Sequence, residues 1–308
     1  MSLNDLILFI VIFGSTSIAV VFPEIGAWFE PSILYFMMFV LFLSFMKIDF
    51  SVLLDTSPKA LLALGKLVLI KLVVLPAVLY WVALWVIPDY AVPILLLSGI
   101  STGVVAPFIA NILNAEVAQV ARMTVVTSVL VPMSLPAMVK ILAGADVTIP
   151  LVLMVRILAV VIFLPIIAVL FMRRFFPGVL AALDVRRFPI SLMAFGIINL
   201  GVFSQYSSFF YQNFDQVLVA VALAYLLSVI YYIIGFIVSP KHTDMLSAGI
   251  CLAVMNNVLV IVFSSRFFGP LSPTLAAMYM FPFFTMIVPI KLIQNHTEYL
   301  STRPTNPK

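Results

Sequence analysis

Apolar residues run along this chain in long blocks separated by short polar or proline-bearing joints. Ten such blocks fall near 4–22, 33–46, 60–87, 91–113, 117–141, 148–172, 187–206, 215–239, 244–264 and 272–294. Each approaches the roughly 20 residues an α-helix needs to cross a bilayer. The pattern predicts an all-α polytopic membrane protein with ten transmembrane helices. The second block is short and borrows residues from Glu30 or Asp49. The stretch from Ser101 to Pro136 departs from plain helix: Gly103 lets the chain leave helical geometry cheaply, and Pro107 removes a backbone donor. A polar hinge at Asn114, Ala115 and Glu116 then separates two blocks. Broken helix within a bilayer survives only where protein or a water-filled cavity satisfies the freed backbone groups, and secondary transporters bind substrate at such breaks.

Ten blocks divide into five and five, 1–145 and 146–296, with 297–308 as a cytoplasmic tail. An odd number per half inverts the second half relative to the first. The ninth block is then the partner of the broken fourth, and it carries Asn256 and Asn257 side by side. Adjacent amides in an apolar run are costly unless they line a cavity or hydrogen-bond the backbone of packed helices.

Composition agrees with the pattern: of 308 residues, 64% are hydrophobic and 9% charged, and the mean hydropathy is +1.26. Soluble domains do not have this make-up. The single cysteine, Cys251, excludes an internal disulfide, and histidines at 242 and 296 lie at block ends. No metal centre or other cofactor is expected. The net charge of +4 forms no single patch, which argues against a nucleic-acid partner, and no obligate protein partner is evident.

Charge placement sets orientation. With a cytoplasmic N-terminus, inside segments hold Lys47, Lys59, Arg173, Arg174, Arg186, Arg187, Lys241, Lys291, Arg303 and Lys308, whereas outside segments hold only Lys140 and Arg266. Both termini are therefore expected in the cytoplasm of a cell facing its plasma or bacterial inner membrane. The acidic residues all fall at ends or in joints, leaving Lys66, Lys71, Arg122 and Arg156 as charges within blocks. Without an Asp, Glu or His in a span, acid–base catalysis has no agent, so an enzyme is not expected. Lys71 lies twelve residues past Lys59, roughly 18 Å along the third span and near the middle of a core about 30 Å thick. It either serves function there or is satisfied by carbonyls, one of them freed near Pro76. Arg156 either contacts an anion or packs on carbonyls. Arg122 is read as a structural residue reaching the cytoplasmic interface or Glu116, and Lys66 as extending to the cytoplasmic surface.

Four segments resemble the bile acid–sodium symporter family, within the bile acid/arsenite/riboflavin transporter superfamily. They are FLSFMKIDFSVLL at 42–54, PKALLALGKLVLIKLVVLPAVLYW at 58–81, the fourth and fifth spans through Thr124, Pro132 and Pro136, and CLAVMNNVLV at 251–260. The resemblance implies a panel of spans 1, 2, 6 and 7 and a core of spans 3–5 and 8–10, with the broken fourth and ninth spans crossing. The family's sodium-ligand positions are largely replaced. Ala106 and Pro107 stand for Ser-Asn, Cys251 and Met255 for Glu and Gln, and Lys71 for Gln; Thr124 and Asn256 agree. An ammonium beside such a site repels sodium.

The expectation is a secondary active transporter of a small or amphipathic organic anion. It works by alternating access, is sodium-independent (proton-coupled or uncoupled), and has Lys71 in place of a sodium ion. Thr102, Gly103, Pro107, Asn111, Asn256, Asn257 and Arg156 are the expected substrate contacts. Lys71, Thr124, Thr127, Cys251 and Met255 are the expected coupling residues. The alternatives are a sodium symporter with a non-standard site and a non-transporting membrane receptor.

Overall fold

A computed structural model describes residues 3–46, 48, 57–144, 151–239, 242–287 and 289–290. The fold is 87% helical, and no strand occurs among the described residues. In chain order the helices are α1 (Leu3–Val21), α2 (Pro23–Ala27), α3 (Ile33–Phe45), α4 (Pro58–Leu69), α5 (Leu75–Val86), α6 (Ala91–Gly99), α7 (Ala106–Ile112), α8 (Val117–Leu142) and α9 (Leu151–Phe175). There follow α10 (Pro177–Val185), α11 (Arg187–Ser204), α12 (Ser207–Gln212), α13 (Phe214–Val238), α14 (His242–Ala253), α15 (Asn257–Phe267), α16 (Leu271–Met278) and α17 (Met280–Thr285). Among the described residues, six stretches are long and apolar enough to cross a membrane: Pro23–Phe45, Ala60–Val86, Val117–Leu142, Leu151–Phe175, Arg187–Ser204 and Phe214–Val238. Such helices make an integral membrane protein. The division at 145/146, the tail 297–308 and most of the 47–56 joint lie outside the described residues.

Local chemistry explains the element ends. The short second block lengthens upstream, because α2 and a 3₁₀ turn at Glu30–Ser32 run into α3. At the start of α4, Ser57 Oγ accepts the Ala60 N–H at 3.3 Å and Pro58 occupies the first turn, where its missing N–H costs nothing. Between α4 and α5 the helix widens to a π turn over Ile70–Val74, with Leu75 N–H donating to Ile70 O. Pro76 follows, and its ring and missing N–H disfavour the ordinary register in the turn before it. The hinge after α7 is a Schellman turn. Asn114 has φ 52°, its N–H reaches Asn111 O at 3.3 Å, and Ala115 N–H reaches Ala110 O at 2.8 Å. Arg122 does meet Glu116, at 4.0 Å, and Lys66 is exposed.

Two interruptions shape the centre. The chain leaves helix between α6 and α7, and again between α14 and α15. Around these breaks, α6 packs on α5, α8 and α16, α14 packs on α13, α8 and α7, and α15 packs on α16. A second group, α1, α3, α9 and α11, packs together and meets the first through α15 and α8.

The α13–α14 contact is a backbone approach. A Cβ on Gly235 would stand 2.4 Å from Gly249 Cα, so no side chain fits without separating the helices. Gly235→Val is expected to destabilise by at least the 1–3 kcal/mol typical of overpacking, roughly. The control Gly269→Ala, whose Cβ meets nothing within 4 Å, stays close to wild type. Thermal unfolding in detergent checks this; equal effects from both changes would contradict the packing.

Candidate functional site

The two breaks pair with each other. Thr102 and Met255 form an isolated antiparallel bridge, in which Gly103 N–H donates to Val254 O at 2.8 Å and Asn256 N–H donates to Ser101 O at 3.1 Å. Gly103 is required by this approach, since a Cβ there would lie 2.6 Å from Met255 O.

A helix that stops inside an apolar protein leaves its last carbonyls without helical partners. At the end of α14 each finds one. Ile250 O accepts Val254 N–H at 2.9 Å. Cys251 O accepts Thr102 Oγ1 at 2.8 Å, Leu252 O accepts Lys71 Nζ at 3.0 Å, and Ala253 O accepts the Tyr279 hydroxyl at 2.7 Å. Three different parts of the chain thus converge on one helix end. The start of α15 is capped within its own sequence, where Asn256 Oδ1 accepts Leu259 N–H at 3.3 Å.

The opposite break is tied to α8. Thr127 Oγ1 accepts Thr102 N–H at 3.0 Å and donates to Met123 O at 2.7 Å. Thr124 Oγ1 donates to Val120 O at 2.9 Å, with Gly103 O at 3.4 Å. One turn apart on α8, the two threonines present hydroxyls to the same segment. At the hinge, Glu116 N–H donates to Ser247 Oγ at 2.8 Å, joining the start of α8 to α14.

Lys71 is fully buried, and among the described residues it is the single charged side chain that is. It sits second in the π turn Ile70–Val74, and the widened turn offsets the helix face beyond it relative to that of α4. Its ammonium lies 5.7 Å from the centroid of the Tyr231 ring and faces the partial negative charge at the C-terminus of α14. The partner carbonyl is that of Leu252, not one freed beside Pro76. Tyr231 is itself held by Ser98 Oγ at 2.8 Å, and its ring lies 6.0 Å from that of Tyr279.

Asn257 differs from its neighbour. Its Nδ2 lies 3.4 Å from Met280 Sδ, while Oδ1 is buried without a hydrogen bond. Met280 and Phe195 pack with Phe13 and Val258, so α1, α11, α15 and α17 meet beside this amide.

Of the residues anticipated from sequence, Lys71, Thr102, Gly103, Thr124, Thr127, Cys251, Met255, Asn256 and Asn257 are buried, and all bond into or cap the paired breaks, Asn257 only through its backbone N–H to Met255 O at 3.0 Å. Pro107 sits in the first turn of α7, half-buried. Asn111 and Arg156 are exposed, on α7 and α9, and do not join this buried cluster. Tyr231, Tyr279, Ser98 and Ser247 were not anticipated. Their signal was available: a tyrosine hydroxyl in an apolar span needs a partner. No protein-family model matches the chain, and no curated protein matches it.

Thr102→Val and Tyr279→Phe keep shape and remove one donor each from the end of α14. Each is expected to lower stability by about 1–3 kcal/mol, the cost of an unsatisfied buried carbonyl. Ser265→Ala, whose Oγ bonds only within its own helix turn to Val262 O, should change little. Thermal or denaturant unfolding reads the difference, and unaltered stability in both variants would contradict the capping scheme.

Proposed function

We propose that this protein is a secondary active transporter of a small or amphipathic organic anion. In this reading it is a divergent relative of the bile acid–sodium symporters, with ten spans in two inverted five-helix repeats. The paired breaks belong to the fourth and ninth spans. The group α1, α3, α9 and α11 corresponds to the panel, and the elements around the breaks to the core. Both termini face the cytoplasm, by the distribution of Lys and Arg.

One observation carries the proposal. A fully buried ammonium stands at the end of an interrupted helix, hydrogen-bonded to a carbonyl at 3.0 Å, where two breaks are paired backbone to backbone. Burying an unpaired ion costs several kcal/mol, roughly, and breaking apolar helices adds unsatisfied groups. A chain needing only a stable bundle has cheaper solutions. Lys71 brings one positive charge to the carbonyls of α14, which is the electrostatic service a bound sodium ion would give. It also repels a second cation from the same place. Transport is therefore sodium-independent, either proton-coupled or uncoupled.

The anion binds next to the crossing rather than within it, since the crossing itself is filled by protein–protein hydrogen bonds. Asn257, with an unpartnered Oδ1 at the junction of α1, α11, α15 and α17, is the amide best placed to meet it. Phe13, Phe195 and Val258 offer an apolar wall to the non-polar part of an amphipathic substrate. Alternating access then proceeds by movement of panel against core along this junction.

The test is uptake into proteoliposomes of labelled organic anions, including a conjugated bile acid and a 2-oxo acid, with potassium in place of sodium and at several pH values. Saturable uptake without sodium is expected, abolished or altered in pH dependence by Lys71→Gln. Uptake that requires sodium, or a Lys71→Gln variant with wild-type rate and pH profile, would contradict the role given to Lys71. Saturable binding without any flux would instead identify a receptor.

A further inference from the structure

The cytoplasm-assigned turn between α9 and α11 carries chemistry that the transport reading does not use. Arg173 and Arg174 close α9, Arg186 caps α10, and Arg187 opens α11. With Asp184 as the only acid between them, this short stretch contributes +3 of the chain's net +4, four arginines less one aspartate. Large apolar side chains are exposed among these charges: Phe175, Phe176, Val179 and Val185, the last 85% exposed. We infer that α10 and the arginines flanking it bind the headgroup of an anionic membrane phospholipid.

The geometry divides the work. α10 is nine residues long and connects the end of one apolar helix to the start of another, so it lies where spans leave the bilayer. Arg173 is structural in part: its Nη2 donates to Met46 O at 2.8 Å and Ile48 O at 2.7 Å, closing the end of α3. Arg187 leans toward Asp184 at 3.7 Å. Arg174 and Arg186 are exposed at opposite ends of α10. Along the helix is an open groove of about 280 Å³ lined by Met46, Arg173, Pro177, Leu180, Ala181 and Asp184. A glycerol-bearing headgroup suits this floor: its phosphate meets the guanidinium groups, and its hydroxyls meet the Asp184 carboxylate. Exposed Phe175, Phe176, Val179 and Val185 then contact acyl chains. A soluble anion or a nucleic acid would engage the guanidinium groups but not these apolar side chains, whereas a lipid engages both. The inference rests on the membrane fold and not on the transport reading, so either can fail alone.

The test titrates the full-length protein in detergent with phosphatidylglycerol, phosphatidylcholine or inorganic phosphate, reading the unfolding temperature. Phosphatidylglycerol alone should raise it. Arg174→Gln with Arg186→Gln should raise the half-saturating lipid concentration about thirtyfold. Because both side chains are exposed, the lipid-free unfolding temperature should not change. The charge-matched pair Lys66→Gln with Lys140→Gln, also exposed, should respond as wild type. An equal response to phosphatidylcholine, an equal response to inorganic phosphate, or an undiminished response in the double arginine variant would each overturn the inference.

Discussion

A helix that ends in an apolar interior must hand its last carbonyls to other donors, and the centre of this protein is built around that requirement at α14. Its carbonyls are taken by Thr102 from the opposing break, Lys71 from the π turn and Tyr279 from the α16–α17 junction. Each donor is placed in turn by something else. Thr127 on α8 fixes Thr102, Lys71 stands on the π turn that precedes Pro76, and Tyr231 flanks both the ammonium and Tyr279. Moving any one of these elements leaves a buried carbonyl without its donor, so the crossing behaves as a unit.

The chemical character of the crossing follows from the kinds of donor it uses. Threonine and tyrosine hydroxyls and backbone amides are neutral, and Lys71 is the single charge. A bound cation in its place would be exchangeable; a lysine is tethered and stays. In the proposed transporter this difference matters for energetics, because a tethered ammonium cannot leave down a sodium gradient. Whatever drives or permits the cycle must then act through the proton on Lys71 or through the substrate's own gradient. The side proposed to meet the substrate is less constrained. Asn257 has one amide atom without a partner, whereas its neighbour Asn256 is consumed in capping α15.

Sequence reading succeeded where the deciding physics is local. Gly103 and Pro107 announced a break because one residue permits non-helical backbone and the other forbids a hydrogen bond, and the break lies between α6 and α7. Asn114 in the hinge likewise adopts a conformation that few residues tolerate. That Lys71 is enclosed agrees with its place inside an apolar span, but its partner was not legible. Leu252 lies 181 residues away, a separation at which local pattern carries no information about contact. Arg156 was read as deep because it stands inside an apolar block; the helix face it occupies is an exposed one, which apolar composition on all sides of α9 could not reveal. Asn111 likewise lies on an exposed face, that of the short α7.

The central claim is that Lys71 performs the electrostatic task of a bound sodium ion. It is tested most directly by thermal unfolding of the purified protein in detergent, in matched sodium and potassium chloride. A ligand that binds only the folded state at a hundredfold excess over its Kd stabilises by about 2.7 kcal/mol, which is readily seen. The account predicts the same unfolding temperature in both salts. A sodium-specific rise in the wild-type protein would contradict it, because an ion site would then coexist with the ammonium that is held to replace it.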